Sequence, residues 1–176
     1  LLVVKLYMHK MLIILLIPII LYTQNTEDKS KSLKVHNDAR KEVGVTPLVW
    51  SEKLEEQALK YAKQIARTNN YRHSNTQDGE NLAMFYEYEK HNKVKKYIYP
   101  ETPLYDASVA WYDEIKDYKY SKIKRHRIGP KIGHYTQMVW KDTKEVGVAS
   151  AISKNGKVYV VARYYPAGNY LGEYPY

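Results

Sequence analysis

The chain has 176 residues, with 28 Lys and Arg against 19 Asp and Glu for a formal charge of +9, and it contains no cysteine. The missing thiol excludes a disulfide framework, a CxxC metal site and a cysteine protease. The basic excess admits nucleic acid, an anionic membrane or plain solubility; the charges are scattered and no nucleic-acid motif is present, so nucleic-acid binding is set aside.

Lys10 precedes the apolar run Met11–Tyr22, the order of the basic and apolar regions of a secretory signal. The run is shorter than the ~20 apolar residues that a membrane-spanning helix needs. Residues 1–24 are therefore expected to be a signal peptide of a secreted protein, with a retained signal anchor as the alternative. Residues 25–176 have the size of one ordinary domain. Without Lys5 and Lys10 that domain keeps a net charge of +7.

Along the chain, Val35, Ala39 and Val43 recur every four residues in "SLKVHNDARKEVG", which predicts a helix stopped by Gly44. "SEKLEEQALKYAKQIARTNN" is the strongest helix, with Leu54, Ala58, Tyr61, Ala62 and Ile65 on one face and Ser51 as the expected cap. Thr102 and Pro103 open a third helix through "TPLYDASVAWYDEIKDY". The segment Met84–Tyr105 between these helices reads as a long basic, tyrosine-rich loop. "GHYTQMVW", Gly133 to Trp140, reads as a short helix. It joins His134 to Met138, Val139 and Trp140, which call for burial.

The period then changes to two. Val146, Val148, Ser150 and Ile152 alternate, as do Val158, Val160, Ala162 and Tyr164, and Asn155-Gly156 between them signals a type I′ hairpin. Helices followed by an antiparallel hairpin place the chain in the α+β class.

Four acid–base residues stand in distinctive settings: His73 in "RHS", Glu80 in "GENL", Glu114 in "WYDEI" and His134 in "GHYTQ". Two imidazoles and two carboxylates suit a divalent ion such as zinc, although spacing alone does not bring them together. Each taken singly also reads as a polar helix end or a solvated carboxylate. Asn37 and Arg40 in "HNDAR" are expected to tie the first helix to neighbouring backbone, and Ser74 to be structural.

"GHYTQMVWKDT", "VVARYYPAGN", "HNDAR" and "GENL" together resemble the motifs of the CAP superfamily of cysteine-rich secretory, antigen 5 and pathogenesis-related-1 proteins. Ala162 stands where most secreted members carry cysteine, and the wording is similar to the cysteine-poor Golgi-associated plant pathogenesis-related branch. The resemblance implies a three-layer α-β-α sandwich around a mainly antiparallel sheet, with His73, Glu80, Glu114 and His134 lining a cleft that holds Zn or Mg in some members. It also implies binding of sterols, fatty acids or a protein receptor; a metal-dependent hydrolase using the same cleft is the competing class. A lipid-facing rim on an anionic membrane surface is expected from Phe85, Tyr86, Tyr88, Tyr97 and Tyr99 with Lys90, Lys93, Lys95 and Lys96. The plain alternative is a solvated loop whose tyrosines pack on the domain.

Overall fold

The computed structural model describes residues 26–124 and 131–176. The apolar run assigned to a signal peptide lies outside the described residues. Helix α1 is helical from residue 26 through residue 42. Strand β1 (Val49–Trp50) leads into α2 (Glu52–Thr68), then β2 (Gly79–Phe85), β3 (Glu87–His91) and β4 (Val94–Ile98). Helix α3 (Pro103–Tyr112) runs into a 3-10 turn at Asp113–Asp117, followed by α4 (Gly133–Met138), β5 (Glu145–Ile152) and β6 (Val158–Tyr165).

Four strands form the central sheet in the order β1-β5-β6-β2. β5–β6 and β6–β2 are antiparallel, and β1 pairs parallel to β5. The period of two divides β6 between two helical layers. Val158, Val160, Ala162 and Tyr164 pack with Leu104, Ala107, Trp111 and Met138 from α3 and α4, and Leu33 and Val35 of α1 press on the same cluster. Tyr159 and Val161 face the other way, onto Ala58, Ala62 and Ile65 of α2. The result is the α-β-α sandwich. At Gly147 α2 lies so close to β5 that any side chain would meet the backbone of Leu54 and Glu55.

Capping differs from the sequence reading. Ser51 occupies the N-cap of α2 without a side-chain cap, because its backbone continues β1 by donating to Val146 O at 2.9 Å. Thr102 stands at the N-cap of α3, yet its hydroxyl turns to Asp106 Oδ1 at 3.3 Å. The orphan N–H groups of Leu104 and Tyr105 instead donate to buried Asp28 of α1 at 3.1 and 2.9 Å, a cap supplied from another helix.

The turns differ as well. At Asn155-Gly156 only Gly156 has positive φ, +80°, and Gly156 N–H reaches Ser153 O at 3.1 Å. That is a longer hairpin loop and not a type I′ turn. Two consecutive positive φ values occur instead at Asn92 (46°) and Lys93 (67°), which close β3 onto β4 with His91 opposite Val94. The basic segment expected as a loop is a two-stranded hairpin.

The "HNDAR" residues tie α1 down. Asn37 Nδ2 donates to Leu48 O, and Leu48 N–H returns to Asn37 Oδ1. Arg40 is fully buried and donates to the carbonyls of Thr46, Met138, Trp140 and Thr143. It thereby fastens the C-terminal end of α4.

Candidate functional site: two histidine–carboxylate pairs in one cleft

Helix α4 is six residues long and presents His134 in its first turn. Met138, Val139 and Trp140 behind it are fully buried and hold it in the core. Glu114, from the 3-10 turn after α3, organises its start. Glu114 Oε2 accepts the backbone N–H of His134 and Tyr135 at 2.9 and 3.1 Å, and Oε1 lies 2.7 Å from His134 Nδ1. One carboxylate thus caps the helix and orients the imidazole. With Glu114 ionised, Nδ1 is the donor and Nε2 is the nitrogen left over.

The second pair joins His73, in the connection before β2, to Glu80 on β2. His73 Nδ1 lies 2.7 Å from Glu80 Oε1, which also accepts Ser74 N–H at 2.9 Å. Glu80 Oε2 accepts Ser74 Oγ at 2.7 Å and stands 3.0 Å from Arg163 Nη1, an ion-pair distance whose geometry makes no hydrogen bond. Arg163 Nη2 donates to Ser74 Oγ at 2.8 Å. Burial works to raise the Glu80 pKa, but the hydrogen bonds from His73 and Ser74 and the charge of Arg163 outweigh it, so the carboxyl sits below 4.5. The hydroxyl of Ser74 is engaged on both sides and is structural.

A buried chain of hydrogen bonds connects α1 to His134. His36 Nδ1 lies 2.8 Å from Ser32 O, which can only accept, so this nitrogen carries the proton. His36 Nε2 therefore accepts from Tyr164 Oη at 2.9 Å. Tyr164 Oη in turn accepts from Asn81 Nδ2 at 3.0 Å, and the same amide donates to His134 O at 3.1 Å. Burial holds the His36 pKa down at about 4 and drives that of Tyr164 well up, so both are neutral near pH 7.

His73, Glu80 and His134 line one hollow of about 940 Å³, and Glu114 supports His134 from beneath. Among the described residues, no group of three or more His, Asp or Glu side chains is arranged to hold a metal ion. The reason lies in the pairing: both carboxylates are occupied by hydrogen bonds, which leaves each imidazole with Nε2 as its remaining donor atom. A carboxylate behind an imidazole is also how histidine ligands are commonly oriented toward a metal.

The expected lipid rim divides. Tyr86, Tyr88 and Tyr99 are about two-fifths exposed. Phe85, the last residue of β2, instead packs against the main core, since alternation puts it on the same side as Ala83. Tyr97 covers Gly156, where any Cβ would run into the ring. Pairing of Tyr88 with Tyr97 and Lys90 with Lys95 puts these residues on one face of the hairpin, while Lys96 lies opposite Glu89 on the other and Lys93 sits in the turn. The lysines do not share a face. Lys95 Nζ lies 4.2 Å from the Tyr88 ring centre and donates to Tyr86 Oη at 3.0 Å.

Sequence reasoning missed Arg163 and Asn81. Arg163 carried a usable signal, since a cation inside the apolar run "VVARYY" facing α2 needs a buried partner.

The family model of the cysteine-rich secretory protein family matches residues 33–164. The human Golgi-associated plant pathogenesis-related protein 1 is 37% identical over 145 residues, covering 80% of this chain and 84% of that one. Pathogenesis-related protein 1A of Nicotiana tabacum is 37% identical over 147 residues, 82% of this chain and 78% of its own. Among solved structures, NaASP2 with Zn2+ superposes at a TM-score of 0.68 with 26% identity over 85% of each chain. Na-ASP-1 superposes at 0.69 with 25% identity over 85% of this chain, which spans 41% of that longer protein. By sequence and by fold, the chain belongs to the cysteine-rich secretory protein (CAP) family.

Proposed function

We propose that the chain is a secreted binding protein that carries a small apolar lipid, such as a sterol or fatty acid, or docks a protein receptor. The observation that carries this reading is the β3–β4 hairpin, which exposes Tyr88 and Val94 and is flanked by exposed Met84, Tyr86 and Tyr99. Exposed rings and aliphatic groups are costly in water and gain when buried against an apolar partner. The basic side chains beside them favour an anionic membrane surface as the place of encounter.

In the cleft, a divalent ion would be held by Nε2 of His73 and His134, with Glu80 and Glu114 fixing the two rings from behind. Such an ion would supply a Lewis-acidic, positively charged centre. The two imidazoles fit the softness of zinc, whereas Mg2+ favours oxygen donors. Lipid mass spectrometry on secreted, purified protein tests the main reading. A sterol or fatty acid should co-purify with the wild type and be lost when Tyr86 and Tyr88 are both changed to Ser. Wild-type protein free of apolar lipid would overturn the lipid carrier.

One observation favours a hydrolase as the second reading: a carboxylate on Nδ1 leaves the His134 Nε2 disposed as a general base. Turnover of a peptide or ester that disappears in Glu114→Gln would establish it.

A further inference from the structure

The cleft has an uneven charge that neither the histidine pairs nor the hairpin uses. Exposed Arg72, Lys122, Lys124 and Lys131 all line it. Among the described residues, none of these four side chains forms an ion pair with a carboxylate. The acids of the described lining are Glu80, already committed to His73, Ser74 and Arg163, and Asp78, which accepts from Thr76 Oγ1 at 3.3 Å. Four cations around one concave surface focus a positive potential that draws in an anion.

The wall that carries Lys122 and Lys124 is built and not loose. Ile123 N–H donates to Glu173 O at 2.8 Å, and Gly172 N–H donates to Ile123 O at 2.9 Å. Tyr120 stacks on Tyr174 at 5.0 Å, and Lys122 Nζ lies 5.7 Å from that ring. Tyr170, 53% exposed, lines the same cleft. Tyr71, 45% exposed, lines it next to Arg72. Among the described residues, Glu173 forms no ion pair.

We infer that this cleft takes an anionic oligosaccharide bearing sulfate or uronate groups. The four cations come from three separate stretches of chain, which suits several anionic groups spaced along a ligand better than one compact anion. Exposed tyrosine rings offer flat apolar faces for sugar rings, and their hydroxyls can hydrogen-bond. Ordinary ligand pockets span roughly 300–1,000 Å³, so a hollow of about 940 Å³ has room for more than one sugar ring. An apolar lipid finds too many charges here. A peptide adding to the sheet edge would meet Trp111, whose Nε1–H already occupies Leu82 O on edge strand β2 at 3.2 Å.

The test is titration calorimetry of the full chain with a sulfated hexasaccharide. Hexa-glutamate and phosphatidylserine vesicles serve as competing probes, and every titration is run with and without EDTA. The sugar should bind in EDTA, with an affinity that falls as salt rises. Changing Lys122, Lys124 and Lys131 together to Gln should weaken it about tenfold, the combined effect of three exposed ion pairs. The same lysines changed to Arg should bind like wild type, as should Lys90, Lys93, Lys95 and Lys96 changed to Gln on the hairpin. Vesicle binding through the hairpin should persist in the cleft variant. Sugar binding that survives the cleft variant, that requires metal, or that is matched by hexa-glutamate would overturn the inference, as would vesicle binding that the cleft variant abolishes.

Discussion

Arg40 offers the sharpest structural test, because its guanidinium is a fully buried cation that forms no ion pair among the described residues. Its donors satisfy four carbonyl oxygens at 2.6 to 2.9 Å, those of Thr46, Met138, Trp140 and Thr143. Burial pulls its pKa down to about 10, so it remains charged at neutral pH. Arg40→Met keeps much of the stem and removes the cost of desolvating a charge, but leaves those carbonyls unpaired. A buried polar group without a partner costs about 1–3 kcal/mol, and the relief of desolvation offsets only part of the total. The net loss should be about 4 kcal/mol, the summed cost of the unpaired carbonyls less the relief of desolvation. With a urea slope of about 2 kcal/mol/M, the unfolding midpoint should fall by about 2 M. A shift below about 0.5 M would refute the view that Arg40 fastens α1 to the end of α4.

Two further outcomes follow from buried positions. His36 is neutral in the fold with a pKa of about 4 against 6.5 for the free group, so the unfolded chain takes up its proton first as pH falls. Stability should therefore be complete above pH 6.5 and decline toward pH 4 by up to roughly 3 kcal/mol. Urea unfolding across that window measures it, and a His36→Gln variant that keeps the full decline would contradict the assignment. Gly147→Ala puts a Cβ 2.6 Å from Leu54 C and 2.8 Å from Glu55 Cα, both helix backbone. Overpacking of this kind costs about 1–3 kcal/mol. Calorimetry should show a melting temperature lower by about 5 °C, and an unchanged value would mean that α2 is not pressed against β5.

Much of the fold was legible because its signals are local and periodic. The face of α2, the stop at Gly44 and the alternation of β5 and β6 all follow from spacing, and each appears in the structure. Two things were not legible, because they depend on partners distant in sequence. Asp28 caps α3 from 76 residues away, and Arg163 meets Ser74 across 89. The hairpin around Asn92-Lys93 was hidden by its composition: a turn with two positive φ values ordinarily advertises itself with glycine, and here Lys93 stands in that place. At the candidate site, the motifs named the residues but not their roles. Only the geometry reveals that Glu114 spends its oxygens on the start of α4 and on His134 Nδ1, which leaves imidazole nitrogen and not carboxylate facing any ligand.

The central claim is that the chain binds apolar ligands through its tyrosine-bearing hairpin, and co-sedimentation with anionic vesicles tests it most directly. Burial of ring area contributes roughly 25 cal/mol per Å², and each lysine near the surface about 1 kcal/mol. Because Lys90 and Lys95 lie on one hairpin face and Lys96 on the other, charge alone cannot supply the full sum. The account predicts weak binding that drops both when Tyr86, Tyr88 and Tyr99 are changed to Ser and when Lys90, Lys93, Lys95 and Lys96 are changed to Gln. Equal sedimentation of the wild type and both variants would contradict it and leave the hairpin an ordinary solvated surface.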